Sequence, residues 1–424
     1  VLYKNKNIIY NIITKFILYI LLILLLIIYL IVILIIMTNV LIVGGDGFCG
    51  WPLSLRLSIK GYNVIIVDNL SRRKIDIDLG YTSLTPIVSI HERLNAWKDI
   101  TNKTISFYLL DVSKEYERLV SVIRENKINT IIHLGEQRAA PYSMKTRTTS
   151  RYTVDNNLSG THNILSAIVE VDCSIQLIHL GTMGVYGYGV VENSIIPEGY
   201  VNVKMDDGSG NYKDTKILHP SYPGSIYHLT KTQDALFFQF YAKNWNIKIT
   251  DLHQGIVWGM NTKETLLDER LVNRFDYDSD YGTVLNRFIM QAASKIPLTV
   301  YGTGEQTRAF IYIENSMDCI ELAIQNPGKE PNKVEIFNQV TETHTLNTLA
   351  ELIKNTFHDV IINYIDNPRK EMKSNELAVS NNKFKNLGLN SIYLDEVAIK
   401  EIYNFIMKYN SNIKINNIMP SSKW

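Results

Sequence analysis

Tyr227 and Lys231 stand four residues apart in Tyr227-His228-Leu229-Thr230-Lys231. On a helix that spacing puts both side chains on one face, one turn apart. An ammonium beside a phenol favours the phenolate, so Tyr227 is a candidate general base near neutral pH, and Lys231 can also hold a cofactor ribose. Such a pair alone is common on surfaces. It gains weight from Leu180-Gly181-Thr182-Met183-Gly184-Val185-Tyr186-Gly187, where a hydroxyl follows a buried strand. Thr182, Tyr227 and Lys231 together supply a hydroxyl, a phenol and an ammonium, the set that takes a proton from a sugar hydroxyl while its carbon gives up hydride.

A hydride needs an acceptor. Gly44, Gly47 and Gly50 form a GxxGxxG spacing between a strand and a helix. Glycines there allow a tight turn, close approach of N–H groups to a pyrophosphate, and tight helix packing. Asp68 ends the next strand, 21 residues after Gly47, where an acidic group takes the adenosine ribose hydroxyls of NAD. Its charge disfavours a ribose phosphate and so NADP, although Arg72 and Arg73 lie close by. Asp111-Val112, after the third strand, is a candidate partner for the adenine amine. The expected NAD contacts are Gly44, Gly47, Phe48, Cys49, Gly50, Asp68, Asn69, Arg72, Asp111, Val112, Gly135, Tyr227 and Lys231.

These groups need a frame. Val40–Val43, a helix over Phe48–Lys60, Asn63–Val67, Ile105–Leu110, a helix near Glu115–Glu125 and Thr130–Leu134 alternate as βαβαβ, and a helix over Asn156–Val169 and a strand at Gln176–Leu180 continue the pattern. The fold class is α/β, a doubly wound parallel sheet of Rossmann type over residues 37–254. A smaller C-terminal substrate-binding lobe, residues 255–424, sends some elements back to the sheet. Val190–Tyr222, polar and strand-poor, reads as a long loop or hairpin near the site.

With 43 basic and 42 acidic residues in 424, the chain has no electrostatic footprint for nucleic acid. Cys49, Cys173 and Cys319 show no CxxC spacing, so neither a disulfide framework nor a zinc site is expected, and a reducing compartment fits. Phe16–Ile36 is an uncharged apolar run of 21 residues preceded by Lys4, Lys6 and Lys15, and taken alone it reads as a membrane-spanning helix. Three features oppose that reading. Met37 opens the segment leading into the first strand, the Ile, Leu, Asn, Lys and Tyr composition is that of AT-rich upstream DNA read as coding, and a bilayer would abut the cofactor strand. Lysines before the run and none after it until Lys60 would also place the rest outside the cytosol. Residues 1–36 are expected to be an upstream-translation artefact, the working protein starting at Met37 in the cytoplasm; a true anchor is the other reading. Without them the balance is 40 basic to 42 acidic.

The GxxGxxG loop, Asp68, Thr182 and the Tyr-Lys pair resemble the extended short-chain dehydrogenase/reductase superfamily, whose members modify nucleotide sugars with tightly held NAD. Longer segments narrow the resemblance: Gly44 through Trp51, Val67-Asp68-Asn69-Leu70 followed by Arg72-Arg73, the insert Ser83–His91, Gly135 through Met144, Gly181-Thr182-Met183-Gly184, Asp251-Leu252-His253-Gln254-Gly255 and Asn273 through Asp278. They resemble the family that converts UDP-glucose and sulfite into UDP-sulfoquinovose and water, a sulfonated glucose donor for sulfolipids and some glycans. The match covers nearly everything from Met37 onward.

The resemblance implies oxidation at C4, acidification of the C5 proton, loss of the C6 hydroxyl, sulfite addition at C6 and return of the hydride. Met183-Gly184 stand where a superfamily dehydratase carries an Asp-Glu pair, leaving His228 and Glu136 as candidates for the C5 and C6 proton transfers. Val185 departs from a Glu frequent in the family. Arg138, with Gln137, is the candidate for sulfite, which arrives free or from a delivering protein; a guanidinium fork suits an oxyanion. Thr182, Gln254 and Arg287 are expected to face substrate, Thr299 and Tyr301 lie in a segment resembling a uracil-pairing strand, and Arg308 matches a diphosphate-binding arginine. His219, Trp51 and Trp97 are expected to pack. A homodimer through two long helices is implied. Competing readings are a UDP-glucose 4-epimerase, disfavoured by the Gln137-Arg138 loop and the 45-residue gap between Thr182 and Tyr227, and an idle NAD-binding regulator or scaffold.

Overall fold

The computed structural model describes residues 13–26, 38–187, 195–330, 332–369, 374–375 and 377–419. Strand β1 (Asn39–Val43) is apolar at four consecutive positions because both its faces are covered, Val40 and Ile42 joining one core and Leu41 and Val43 the other. Alternate side chains of a strand point to opposite faces, so an unbroken apolar run marks a central parallel strand. Val40, Leu41 and Ile42 are fully buried, each worth about 1.5–3 kcal/mol relative to exposure.

Around β1 lie β2 (Asn63–Asp68), β3 (Ser106–Leu109), β4 (Thr130–His133), β5 (Gln176–Thr182), β6 (Ile249–Gln254) and β7 (Glu335–Gln339). They form a seven-stranded, wholly parallel sheet in the order β7-β6-β5-β4-β1-β2-β3. This is the expected doubly wound fold. Its strand order reverses between β1 and β4, the crevice where such sheets take ligands.

Helix α1 (Gly50–Ile59) is buried along nearly its whole length, and its one deep charge, Arg56, is paired with Glu264, Glu314 and Asp318. Helix α2 (Arg147–Val171) starts nine residues before the expected Asn156, because Thr146 and Thr149 form a reciprocal capping box ahead of it. Helix α3 (Ile226–Trp245) starts at Ser225, whose hydroxyl accepts the His228 N–H. The smaller lobe sets strands Ile256–Trp258, Glu305–Tyr312 and Glu342–Thr345 against helices around Trp258, Phe288, Phe310, Leu349 and Ile399.

The segment read as strand-poor holds an antiparallel hairpin, Tyr200–Asp206 against Tyr212–Leu218. Both strands are largely exposed, so no buried face imposes the apolar alternation that marks a strand. Residues 190–194 of that segment lie outside the described residues, as do Met37 and residues 27–36 of the apolar run. Residues 13–26 form an exposed helix. Among the described residues no helix is long and apolar enough to cross a membrane.

Candidate active site

The glycine loop leaves β1 directly. Gly44 has φ +86°, and a Cβ there would stand 2.7 Å from the Gly135 nitrogen; a Cβ on Gly50 would meet the Gly44 carbonyl oxygen at 2.1 Å. Only glycine lets these backbones close up. No side chain caps α1, whose first residue lines a cavity of about 380 Å³ at the crevice, so its N-terminus is available to an anion.

At the end of β2 the Asp68 carboxylate accepts the Leu70 N–H at 2.7 Å and the Asp46 N–H at 2.9 Å, and its oxygens keep lone pairs for a ligand. Burial, with the charge of Asp46 adding, pushes its pKa up to about 6. Arg73 is committed to Asp46 through two bonds of 2.5 and 2.8 Å. Arg72 is committed to Asp76 and Asp276 and lies 3.6 Å above the Tyr281 ring. Both arginines that raised the question of a ribose phosphate are thus spent on carboxylates. Gly47, Phe48, Cys49, Asn69, Val112 and Gly135 line the same cavity. The residues present fit a dinucleotide: a glycine cradle, an uncapped helix end and a carboxylate one strand over.

Asp111 does not line the cavity. Its Oδ1 accepts the N–H and hydroxyl of Ser113 and its Oδ2 pairs with Lys114 at 3.1 Å, so it holds the turn after β3 instead of facing adenine.

Thr182 ends β5, and Tyr227 and Lys231 project from the first turns of α3 into one wall of the cavity. Burial raises the Tyr227 phenol above its usual value, and the Lys231 charge and the nearby Thr182 hydroxyl pull it back. Lys231 Nζ donates to the Leu180 carbonyl at 2.7 Å and pairs with Glu136 at 3.0 Å. Glu136 therefore sits behind Lys231, and against the pull of burial that ammonium and His179 hold its carboxyl well below the carboxylate range. A carboxylate so committed is a poor proton donor, which corrects its candidacy for the elimination. His133, Glu136 and His179 cluster closely enough for a metal ion, but the Lys231 ammonium stands among them.

His228 lies beside Tyr227, its Nδ1 3.1 Å from the Ser225 hydroxyl and its ring against Gly184, where a Cβ would meet Cδ2 at 2.2 Å. Gly184, in the place of a dehydratase acid, is what makes room for the imidazole. Burial, then the charges of Arg369 and Arg308, push His228 down to about 4, so it is neutral and able to accept a proton. Val185 packs with Met183, Tyr186 and Ala309 in a small apolar cluster.

Arg138 is 39% exposed on the cavity wall and pairs with Asp276 at 2.6 Å. Asp276 also takes Arg274 at 3.0 Å and Arg72 at 3.2 Å, so one buried carboxylate ties together the segments after β2 and β4 and its own loop. Gln137 borders the cavity, but its amide is used on Ala139 and Thr153. Gln254 and Tyr301 line it, Arg287 reaches Tyr301 at 3.0 Å, and Arg308 completes that end. Thr299 is off the wall: its N–H and hydroxyl engage Gln291 and its carbonyl accepts from Arg287. Trp51 and Trp97 are buried, donating to Leu271 and Ser58, and His219 stands edge-on to Tyr186. Arg369, which also lines the cavity, escaped the sequence reading, since a lone arginine after Asn367-Pro368 carries no pattern.

Residues 40–338 match the model of the NAD dependent epimerase/dehydratase family, and the chain belongs to that family. It is an NAD-dependent enzyme. Among curated relatives it is 41% identical over 389 residues to the UDP-sulfoquinovose synthase, chloroplastic, of Spinacia oleracea, covering 91% of this chain and 79% of that one. It is 34% identical over 393 residues to the UDP-sulfoquinovose synthase of Sulfolobus acidocaldarius, covering 91% and 97%. Solved structures with the same fold include the UDP-glucose 4-epimerase of Thermotoga maritima, with a TM-score of 0.64 at 22% identity over 88% of this chain and 99% of that one. The UDP-glucuronic acid 4-epimerase of Bacillus cereus aligns with a TM-score of 0.62 at 19% identity over 88% and 99%.

Proposed function

We propose that this enzyme is a UDP-sulfoquinovose synthase, acting on UDP-glucose and sulfite in the cytoplasm. The observation that carries the reading is one wall holding Thr182, Tyr227 and Lys231 with a neutral His228 seated on Gly184. NAD, when bound, supplies the acceptor and later the donor of a hydride. Tyr227, with Thr182 on its hydroxyl and Lys231 behind, takes the proton of the C4 hydroxyl and returns it at the end. His228 takes the C5 proton once the neighbouring carbonyl has acidified it and passes it to the C6 oxygen, which leaves as water. Sulfite, arriving as hydrogensulfite and drawn by the guanidinium of Arg138, adds through sulfur at C6 while its proton goes to C5 by way of His228. Gln254, Arg287, Tyr301 and Arg308 hold the nucleotide sugar. Leu229, Leu236 and Phe240, exposed on α3, support a homodimer through the long helices.

Mass spectrometry of the purified full chain with UDP-glucose and sulfite tests this. A new UDP-linked sulfonate, absent when sulfite is left out, is expected. UDP-galactose alone would replace the reading with a 4-epimerase.

The cofactor pocket should also respond to pH. A carboxylate at Asp68 accepts ribose hydroxyls better than the neutral acid, and its pKa of about 6 in the free protein sets the window. Affinity for NAD is expected to hold above pH 7 and to fall, approaching about tenfold per pH unit, below pH 6. Titration by protein fluorescence from pH 8 to 5 checks this; a flat affinity would remove Asp68 from the adenosine contact.

A further inference from the structure

Behind Lys231 lies a buried run of ionisable side chains that the reaction steps do not use, Glu136 at the cavity wall and His133, His179, Asp234, Asp251 and His253 off it. His179 on β5 sets its Nδ1 2.8 Å from Asp251 Oδ1, and Asp251 Oδ2 lies 2.9 Å from His253 Nε2. On its other side His179 Nε2 stands 2.9 Å from Glu136 Oε1 and 3.0 Å from Lys231 Nζ. Asp234 on α3 lies 3.8 Å from the same nitrogen, and His133 on β4 stands 3.4 Å from Glu136. His133, His179 and Asp234 are wholly buried.

His179 Nε2 thus faces an acceptor and a donor at once. Protonated, it donates to Glu136 and stands as a second cation beside Lys231; unprotonated, it accepts from Lys231. Charge balance selects between the two. Despite burial, their cationic neighbours hold the Glu136 and Asp251 carboxyls well below the carboxylate range, so both are anions. Burial, then the charge of Glu136, raises Asp234 far above that range, and burial drops His133 to about 3, so both are neutral. Lys231 matches one of the two anions. An unmatched charge in a dry interior is costly, and of the two imidazoles on Asp251, His179 at 2.8 Å and His253 at 2.9 Å, His179 alone also touches Glu136 and is the group placed to carry the second positive charge.

We propose that His179 is a second fixed cation behind Lys231, clasped by Asp251 and Glu136, and that it helps set the pH above which Tyr227 becomes a usable base. His179 does not line the cavity; it is a positioning residue acting through Lys231. The inference rests on the reading of Tyr227 as the base for C4 oxidation. Its physical content is Coulombic: a positive charge held beside Lys231 in a medium of low dielectric adds to the field by which that ammonium favours the Tyr227 phenolate.

The test follows the first chemical step, the rise of reduced-nicotinamide absorbance after UDP-glucose is mixed with the NAD-loaded enzyme without sulfite, across pH. His179→Gln is expected to move the acid limb of that rate up by about one pH unit, with NAD still bound. His179→Lys, which restores the cation, should bring the limb back toward the wild type. A limb that stays put while the rate falls equally at every pH would mean a structural role and overturn the proposal. So would equal behaviour of the two variants. Should His179→Gln not fold, nitrogen NMR of labelled wild-type enzyme decides the matter: burial and Lys231 oppose the proton on His179, but Asp251 and Glu136 raise its pKa to about 9, so a charged imidazole at pH 7.5 is expected. A neutral one would overturn the proposal. Absence of any reduced nicotinamide from the wild type at all pH values would instead sink the reading of Tyr227, a distinguishable failure.

Discussion

Tyr227→Phe is expected to lower turnover by about a thousandfold or more while leaving NAD bound, because one oxygen is lost and the ring stays in place. The phenyl keeps its contact with His228, 5.1 Å between ring centroids, and its place in the first turn of α3. Lys231 remains anchored on Leu180 and Glu136, so any ribose contact survives. What disappears is the phenol beside Thr182 and Lys231 that takes the C4 proton. His228 is assigned the C5 proton and its Nδ1 faces Ser225, and Thr182 alone is too weak an acid to serve. Product formation by mass spectrometry, set beside the NAD content of the purified variant, measures both halves of the expectation. A variant with near-normal turnover would remove Tyr227 from the chemistry.

The second large effect concerns stability. Asp46 lies in the glycine loop, 7% exposed, and its carboxylate receives Arg73 and, at 2.8 Å, Arg93, whose side chain is 1% exposed. Asp46→Ala leaves the Arg93 guanidinium buried with only the Val272 carbonyl at 3.2 Å and the Trp51 ring at 3.9 Å for company. Breaking a buried pair by removing one partner costs about 3–5 kcal/mol, and the loop that would carry the pyrophosphate loses its tethers to the helix bearing Arg73 and to the helix bearing Arg93. Urea unfolding should show a midpoint well below the wild type, and NAD retention should fall with it. Asp268→Ala, which breaks an exposed pair with Arg270 and removes the cap of the short turn Glu269–Leu271, should move the midpoint far less. Equal effects of the two substitutions would contradict this account.

What could be read from the sequence was whatever depends on short spacing. β1 and its glycine turn announce themselves because a doubly covered strand must be apolar throughout and a backbone in contact with backbone must be glycine. Tyr227 and Lys231 are a helical turn apart, and Thr182 follows a strand long enough to be unmistakable. Hydrophobic periodicity puts the start of α2 too late because Arg147 through Asn156 is polar, and the capping box sets where that helix begins. Asp111 points to a ligand because it closes a strand, and Thr299 because its segment resembles a uracil-pairing strand, yet groups two to twelve residues away claim their polar atoms. The cluster behind Lys231 is a product of register. His133 pairs with His179 across β4 and β5, and His179 with Asp251 across β5 and β6, an alignment that no local pattern encodes.

The three arginines on Asp276 bear on how the enzyme lives among the cell's other oxidoreductases. A dehydrogenase that consumes its nicotinamide must let it go after each cycle, and so its rate follows the ratio of oxidised to reduced coenzyme around it. A catalyst that restores its own hydride has no such need. With segments after β2 and β4 clasped to one carboxylate along the pocket wall, exchange requires several ion pairs to part together. A dinucleotide in that pocket is expected to exchange more slowly than the enzyme turns over, which would insulate carbon flow into the sulfonated sugar from swings in metabolic redox state.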